Sequence, residues 1–564
     1  MVPDDECRWS VFEKLELKIA WSLFSECELA SETSPIATTW REAWRASRPG
    51  DVGMVKSLAQ SVATLHVAGV DAVFAVEEAS CGGASVLTLQ LERGLTLDTP
   101  ALYSDARVRP AWIAHIRDSF EMASVENAAE AADRAAVLET SIAAMWRSPA
   151  ERRVGNSMVM MSVEELEKAA PSNKIRDHWA EYLQALGVGA SARVGVSHPP
   201  ALPQIAEFLA SPNLGDYLLW KALCFAAPFM GEKWAVPHER FFCGVLGGAL
   251  TTHPPWRRAV TATCAVVPKA LSAAYARRVL SRQTLLEVDD MMRRVFAAMR
   301  RTLLEATWLS EKTRFAQIAR LDAMRWFVGL DTAARPERTA KDLSLLGLLL
   351  AQRAVDWSAF VKRINTTAPP LAAWPMSSFD VNACYRRDLN ALFVPAAVMQ
   401  PPFFDANQTR ARNYGALGVV LAHEVSHAFD DESHDGWAPG ERAAFEERAR
   451  VLVEQANARG LDGKLTLGEN LADASGLRVS LEAMRSEVES GLNSGGHNMG
   501  STRGQYSSQD LAFFEAWATL MASESRPEDS ARRIQMDPHA PGWARVAMPL
   551  LGMPRFTKAM ESFT

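Results

Sequence analysis

The sequence predicts a mainly α-helical protein of two or more lobes, and three observations carry that expectation. Apolar residues recur every three or four positions over most of the chain, strand-like patterns are confined to short segments, and 564 residues that are 48% hydrophobic and 23% charged exceed what one core usually holds. A formal net charge of −7, with lysines and arginines interspersed among acids, gives no basic field to attract a phosphate backbone. Nucleic acid is therefore not expected as a partner.

Along the chain, the opening stretch MVPDDECRWSVFEKLELKIAW is acidic and amphipathic and lacks the basic start and apolar block of a secretion signal. Strand-like runs follow at 71–79 (DAVFAVEEA) and 85–92 (SVLTLQLE), joined by a glycine-containing turn that predicts a small hairpin. The segment 186–202 is rich in glycine, serine and proline and is expected as a break. The clearest amphipathic helix is LLEVDDMMRRVFAAMRRTLLEATW, 285–308. A second break, TTAPPLAAWPM at 366–376, is the nearest thing to a domain boundary, and a second hairpin is expected from 377–385 and 390–398. The stretch 491–509 reads as a loop. No run reaches the roughly 18–20 apolar residues of a membrane span, so no membrane association is expected. The seven cysteines, an odd number without a C-x-x-C pair, suit a reducing compartment, and the cytoplasm is the expected location.

At 420–430 the apolar run VLAHEVSHAFD is interrupted by His423, Glu424 and His427. One helical turn separates the two histidines, so both imidazoles share a face where their nitrogens could bind one zinc ion at about 2.0–2.1 Å, with Glu424 beside them as a base. The plain alternative is two surface histidines and a solvated glutamate. The apolar flanks Gly418 to Ala422 and Ala428-Phe429 argue against it, because burying three polar groups without partners costs several kcal/mol. A catalytic zinc usually takes three protein ligands and leaves a fourth position open. Downstream, TLGENLADASGLR (466–478) places Glu469 and Asp473 one turn apart on a second helix, so one could ligate while the other orients a ligating histidine. Taken alone, such a pair is more often a solvated face.

These residues resemble the neprilysin-type zinc metallopeptidases, family M13. The resemblance rests on His423 to His427, on Gly468-Glu469-Asn470 with Asp473, and on Asp430-Asp431 after the second histidine. It extends to Val381-Asn382-Ala383-Cys384-Tyr385 running into FVPAAVMQPPFFD, and to MDPHAPGWAR at 536–545. It implies a thermolysin-like catalytic lobe with small β elements over 367–564, a second, mainly helical lobe over 61–366, and a central chamber between them. Residues 1–60 would be a divergent N-terminal segment. It further implies that His423, His427 and Glu469 ligate one Zn²⁺, that Glu424 activates water, that Asp473 orients His423, and that Asp430 does the same for His427. His539 and Arg545 would stabilise the oxyanion of the tetrahedral intermediate. Asn382 and Ala383 would hold an extended peptide through amide and main-chain hydrogen bonds. Val398, Phe403, Val419, Val420 and Trp517 would line an apolar pocket for the residue after the scissile bond. The implied activity is endopeptidase cleavage of short peptides; a zinc-bound water with a pKa near 7 and an adjacent carboxylate are chemically suited to it.

The chain departs from the family where Cys384 replaces an aromatic residue, a change expected to shape a pocket rather than to add a ligand. The family's usual anchor or signal segment and its C-terminal tail are not expected in this chain. A narrower alternative is a processing peptidase dedicated to one peptide, and a different class is a peptide-binding homologue without catalysis.

Overall fold

A computed structural model describes residues 52–154, 158–169, 178–189, 191–330, 344–365, 374–433, 437–438, 440–494 and 502–561. The chain divides into two compact, mostly helical units. The first comprises Met1–Ala270, Arg335–Leu371 and Arg526–Asp529, and the second Leu271–Ala334, Ala372–Ser525 and Ser530–Thr564. Residues 271–334, which the sequence left with the first lobe, thus belong to the second unit. The crossing at Leu371/Ala372 falls within the break expected at 366–376, of which 366–373 lie outside the described residues. The expected 1–60 segment is likewise outside them up to residue 51.

The first unit packs α1 (Val52–Val67), α2 (Val108–Met122), α3 (Ala128–Met145) and α4 (Leu214–Ala226) around one apolar core containing Trp112, Phe120, Ile142, Tyr217 and Trp220. Helix α5 (Glu232–Glu239) continues into a π-helical turn at Arg240–Leu246. The expected hairpin forms as β1 (Ala75–Cys81) and β2 (Ala84–Gln90), turned by Gly82 and Gly83 at φ +59° and +83°, values that glycine adopts without a steric cost. Two further strands, β3 (Val159–Met161) and β4 (Val194–Ser197), complete the sheet in the order β1-β2-β4-β3. β4 lies inside the 186–202 segment expected only as a break. It is four residues long and wholly buried, too short for alternation to mark it, and pairing with β2 and β3 decides its conformation.

In the second unit, β5 (Arg325–Gly329), β6 (Cys384–Arg386) and β7 (Ala391–Pro395) form a sheet in the order β5-β7-β6. β7 is central and fully buried, while β6 is an edge. The hairpin expected from 377–385 and 390–398 is therefore real but shorter, paired only from Cys384↔Phe393 to Arg386↔Ala391. Helix α6 (Arg282–Glu305) matches the amphipathic segment expected at 285–308. Ser281 caps it by accepting from the Thr284 amide, and Val288, Met291, Met292, Val295, Ala298 and Met299 form its buried stripe. That stripe joins the core of the second unit, which is why 271–334 belongs there. The same core receives α7 (Val419–Ser426), α8 (Leu467–Ser494), α9 (Thr502–Met521) and α10 (Gly542–Leu551). Of the loop expected at 491–509, residues up to Ser494 belong to α8 and those from Thr502 to α9, and 495–501 lie outside the described residues.

Candidate active site

Helix α7 is buried because Leu421, Ala422 and Val425 fill its inner face with no exposed surface. A π-helical turn at Tyr414–Gly418 leads into it, fixed by a hydrogen bond from Ser480 Oγ on α8 to the Tyr414 carbonyl at 2.7 Å. α7 and α8 approach closely at Gly476, where an added Cβ would lie 3.0 Å from the Val419 carbonyl oxygen and 3.1 Å from the His423 amide nitrogen. This contact sets the first turns of α8, which carry Glu469 and Asp473, beside His423.

The two histidines, four apart, present their Nε2 atoms to each other at 3.1 Å. Glu469 Oε2 faces both, at 3.1 Å from His423 and 3.7 Å from His427. Each Nδ1 is occupied by an aspartate: His423 by Asp473 at 2.9 Å, His427 by Asp430 at 3.0 Å. With both Nδ1 positions turned to carboxylates, two imidazole lone pairs and a carboxylate oxygen converge on one point. Glu469 Oε2 is also buried without a hydrogen bond of good geometry. Only a proton or a metal cation can occupy such a point, and two nitrogens with one carboxylate oxygen are a donor set that suits zinc. Without a cation, burial opposes protonation of His423, yet Asp473 and Glu469 outweigh it and raise its pKa to about 10. Burial also pushes the Glu469 carboxyl up, but interactions with His423 and His539 and the nearby imidazole charges hold it well below the usual range.

Glu424 is buried, and burial raises its pKa against the opposing pull of His423 and His427. One of its oxygens accepts from the Tyr385 amide of β6 at 2.9 Å, and the other lies 4.0 Å from His423 Nε2. The edge strand thus holds the carboxylate beside the convergence point, a contact that no spacing in the sequence announces. Asp473 receives the Arg545 guanidinium in a two-pronged contact at 2.8 and 2.7 Å. Asp430 receives Arg387, from the turn after β6, at 2.8 Å. Arg387 was not among the expected site residues, and nothing in its sequence context marks it. Gly476, by contrast, carried a signal, as a glycine within a helical pattern.

The remaining expected residues are distributed unevenly. His539 Nε2 lies 3.1 Å from Glu469 Oε2 and its Nδ1 2.9 Å from Asp537. Burial works against its protonation, but Asp537 and Glu469 raise its pKa to about 9. Ala383 is buried, and its amide donates to the Asn382 side-chain oxygen at 2.9 Å, while Asn382 itself is exposed. Cys384 lies on β6, and burial, followed by the Glu424 charge, pushes its thiol up to about 12. Val398, Val419 and Trp517 are closed to solvent within the core of the unit, so of the five expected pocket residues only Phe403 and Val420 present surface. Trp517 donates its indole N–H to the Arg545 carbonyl at 3.1 Å and packs against that guanidinium.

Fold and site together define a two-lobed helical protein with a candidate metal centre of two histidines and one glutamate. Sequence models of peptidase family M13 match residues 28–331 and 382–562, so the chain belongs to that family. The match begins well before residue 60, where the sequence motifs placed the start of the likeness. Members of the family use one catalytic zinc, for which His423, His427 and Glu469 are the candidate ligands. Among curated relatives, Neprilysin-3 of Drosophila melanogaster is 26% identical over 440 residues, covering 71% of this chain and 54% of that protein. Endothelin-converting enzyme 1 of Rattus norvegicus is 25% identical over 441 residues, covering 73% and 57%. The matched region thus spans little more than half the length of these relatives. The zinc metalloprotease Zmp1 of Mycobacterium tuberculosis, solved with an inhibitor, shares the fold with a TM-score of 0.83 and 24% identity, covering 98% of this chain and 89% of that one. PepO of Lactobacillus rhamnosis gives 0.80 and 19%, covering 97% and 88%. No single helix among the described residues is long and apolar enough to cross a membrane.

Proposed function

We propose that this chain is a zinc endopeptidase that hydrolyses short peptides. The observation that carries the reading is the convergence of His423, His427 and Glu469 with the second oxygen of Glu424 held 4.0 Å from His423 Nε2. Zinc bound there supplies Lewis acidity and brings the pKa of a coordinated water to about 7. Glu424 takes the proton of the attacking water, its carboxylate held in place by the Tyr385 amide. The same carboxyl then delivers the proton to the leaving amine. Asp473 and Asp430 fix the imidazole tautomers by accepting from Nδ1. His539, whose Nε2 lies 3.1 Å from Glu469 Oε2, is placed to donate to the developing oxyanion, while Arg545 gives two hydrogen bonds to Asp473.

β6, as an edge, is the element against which an extended peptide would align, with Asn382 and Ala383 beside it. Phe403 and Val420 support a preference for a hydrophobic side chain after the scissile bond. Among the described residues, Cys81, Cys224, Cys243 and Cys384 carry free thiols, which supports a reducing compartment such as the cytoplasm.

The test is Glu424→Gln. The variant is expected to retain zinc, measured by metal analysis, and to lose turnover of a fluorogenic peptide library by about 10²–10⁴-fold. Undiminished cleavage by the variant would overturn the role of Glu424. Fully zinc-loaded wild-type protein that binds peptides but cleaves none would establish the binding-only alternative.

A further inference from the structure

We propose that Glu239, Cys243 and His253, in the first unit, form a second divalent-metal site whose ligand is zinc. A carboxylate oxygen, a thiol sulfur and an imidazole nitrogen from these residues all lie within 4.8 Å of one another. A divalent ion bonded to sulfur at about 2.3 Å and to nitrogen at about 2.0–2.1 Å holds its donors roughly 3.5 Å apart, so small side-chain rotations close the cluster around it.

The backbone brings the donors together from one short stretch of the chain. Glu239 ends α5 and Cys243 follows four residues later in the π-helical turn. π-Helical turns are frequent at functional sites. His253 returns from the following loop, where its main-chain amide donates to Glu239 Oε1 at 2.6 Å and its ring Nδ1 contacts the same oxygen. The second oxygen, Oε2, is the observation that points to a ligand. Glu239 is only 8% exposed, and Oε2 is buried with no hydrogen-bond partner. The nearest cation is Arg258, whose Nη1 stands 3.7 Å away, beyond hydrogen-bond distance, and bonds instead to the His253 carbonyl. A buried carboxylate oxygen without a hydrogen bond is destabilising, the Arg258 ion pair at 3.7 Å offsets this only in part, and a directly bound cation removes it.

The chemistry of the set selects among cations. Thiolate sulfur and imidazole nitrogen disfavour calcium and magnesium and suit zinc, while the carboxylate completes three protein ligands. On binding, the Cys243 thiol releases its proton to solvent as the sulfur–zinc bond forms, and no oxidant or reductant is required. The His253 side chain is 38% exposed and provides the entry path. A bound ion would tie the loop that ends at His253 to the end of α5, a structural role separate from peptide cleavage.

The test uses the untagged full chain loaded with cobalt(II) in place of zinc. The candidate catalytic ligands are two imidazoles and a carboxylate, so a thiolate-to-cobalt charge-transfer band in the near ultraviolet reports only a sulfur ligand. Wild type is expected to show the band, and Cys243→Ser to lose it together with a full equivalent of metal while still cleaving peptide. Glu469→Gln should do the reverse, keeping the band and losing cleavage, so failure of either site is read separately. Absence of the band in wild type, or its persistence in Cys243→Ser, overturns the proposal. If Cys243→Ser does not fold, His253→Gln decides it by the same spectrum: a weakened or shifted band supports the site and an unchanged one rejects it.

Discussion

His423 and His427 present Nε2 to the same point and give Nδ1 to an aspartate that is itself held by an arginine, yet the two supports are built from different parts of the chain. Behind His423, Asp473 comes from α8 and Arg545 from α10, the aspartate is 1% exposed, and the guanidinium grips it with two hydrogen bonds. Behind His427, Asp430 lies three residues along the chain, and Arg387 reaches it with one hydrogen bond from a side chain 32% exposed. Both aspartates are buried, but the Arg545 side chain keeps only 18% of its surface exposed against 32% for Arg387, so the first charge pair lies deeper than the second. Breaking a buried pair leaves an uncompensated charge, whereas loss of a partly exposed partner is relieved by hydration. The difference teaches that the two ligands share an orientation but not a dependence on the fold.

The largest expected effect follows from removing the buried aspartate. Asp473→Asn should weaken zinc binding by about 10–100-fold and, with the largely buried Arg545 losing its two hydrogen bonds, lower unfolding stability by about 2–4 kcal/mol. Chelator competition and denaturant melts read the two quantities, and a stability loss no larger than that of the Asp430 variant would erase the contrast. Asp430→Asn comes next, with a comparable affinity loss of about tenfold but a stability cost of only about 1–2 kcal/mol, because Arg387 is the more exposed arginine and keeps Glu432 at 3.8 Å.

Gly476→Ala disturbs one side alone. Its Cβ would press on the Val419 carbonyl and the His423 backbone, so α8 must shift with Glu469 and Asp473 upon it. A cost of about 1–3 kcal/mol and reduced zinc affinity are expected, with the local Asp430–His427 contact intact. Unchanged affinity in this variant would show that the helix contact does not position the ligands. The smallest effect belongs to Arg387→Gln, at under about 1 kcal/mol, and Arg387→Lys should restore part of it. A salt titration checks the assignment, since raised ionic strength should narrow the gap between wild type and variant.

Much of the site could be read from residues close in sequence. The H-E-x-x-H spacing places both imidazoles on one face because a helix repeats every 3.6 residues, and the same arithmetic pairs Glu469 with Asp473. Helix α6 was legible from its apolar stripe, and both hairpins from runs flanking a turn. What escaped were contacts between distant segments: Tyr385 on Glu424, Arg387 on Asp430, and the short strand β4 inside a glycine-rich stretch. The expected boundary near 366 also gave 271–334 to the first lobe, because periodicity reveals that a helix has a buried face but not which core receives it.

By itself the sequence determined the helical class, the donor atoms and the family, since these depend on local periodicity and on side-chain chemistry at fixed spacings. The tertiary structure alone decided that Arg545 meets Asp473 through two hydrogen bonds, and that Val398, Val419 and Trp517 are closed inside the core. It also decided that Glu239, Cys243 and His253 meet at all. The physical reason is the same in each case: a hydrogen bond or a donor cluster is fixed by separations of a few ångströms, and residues far apart in the chain acquire those separations only when the helices pack.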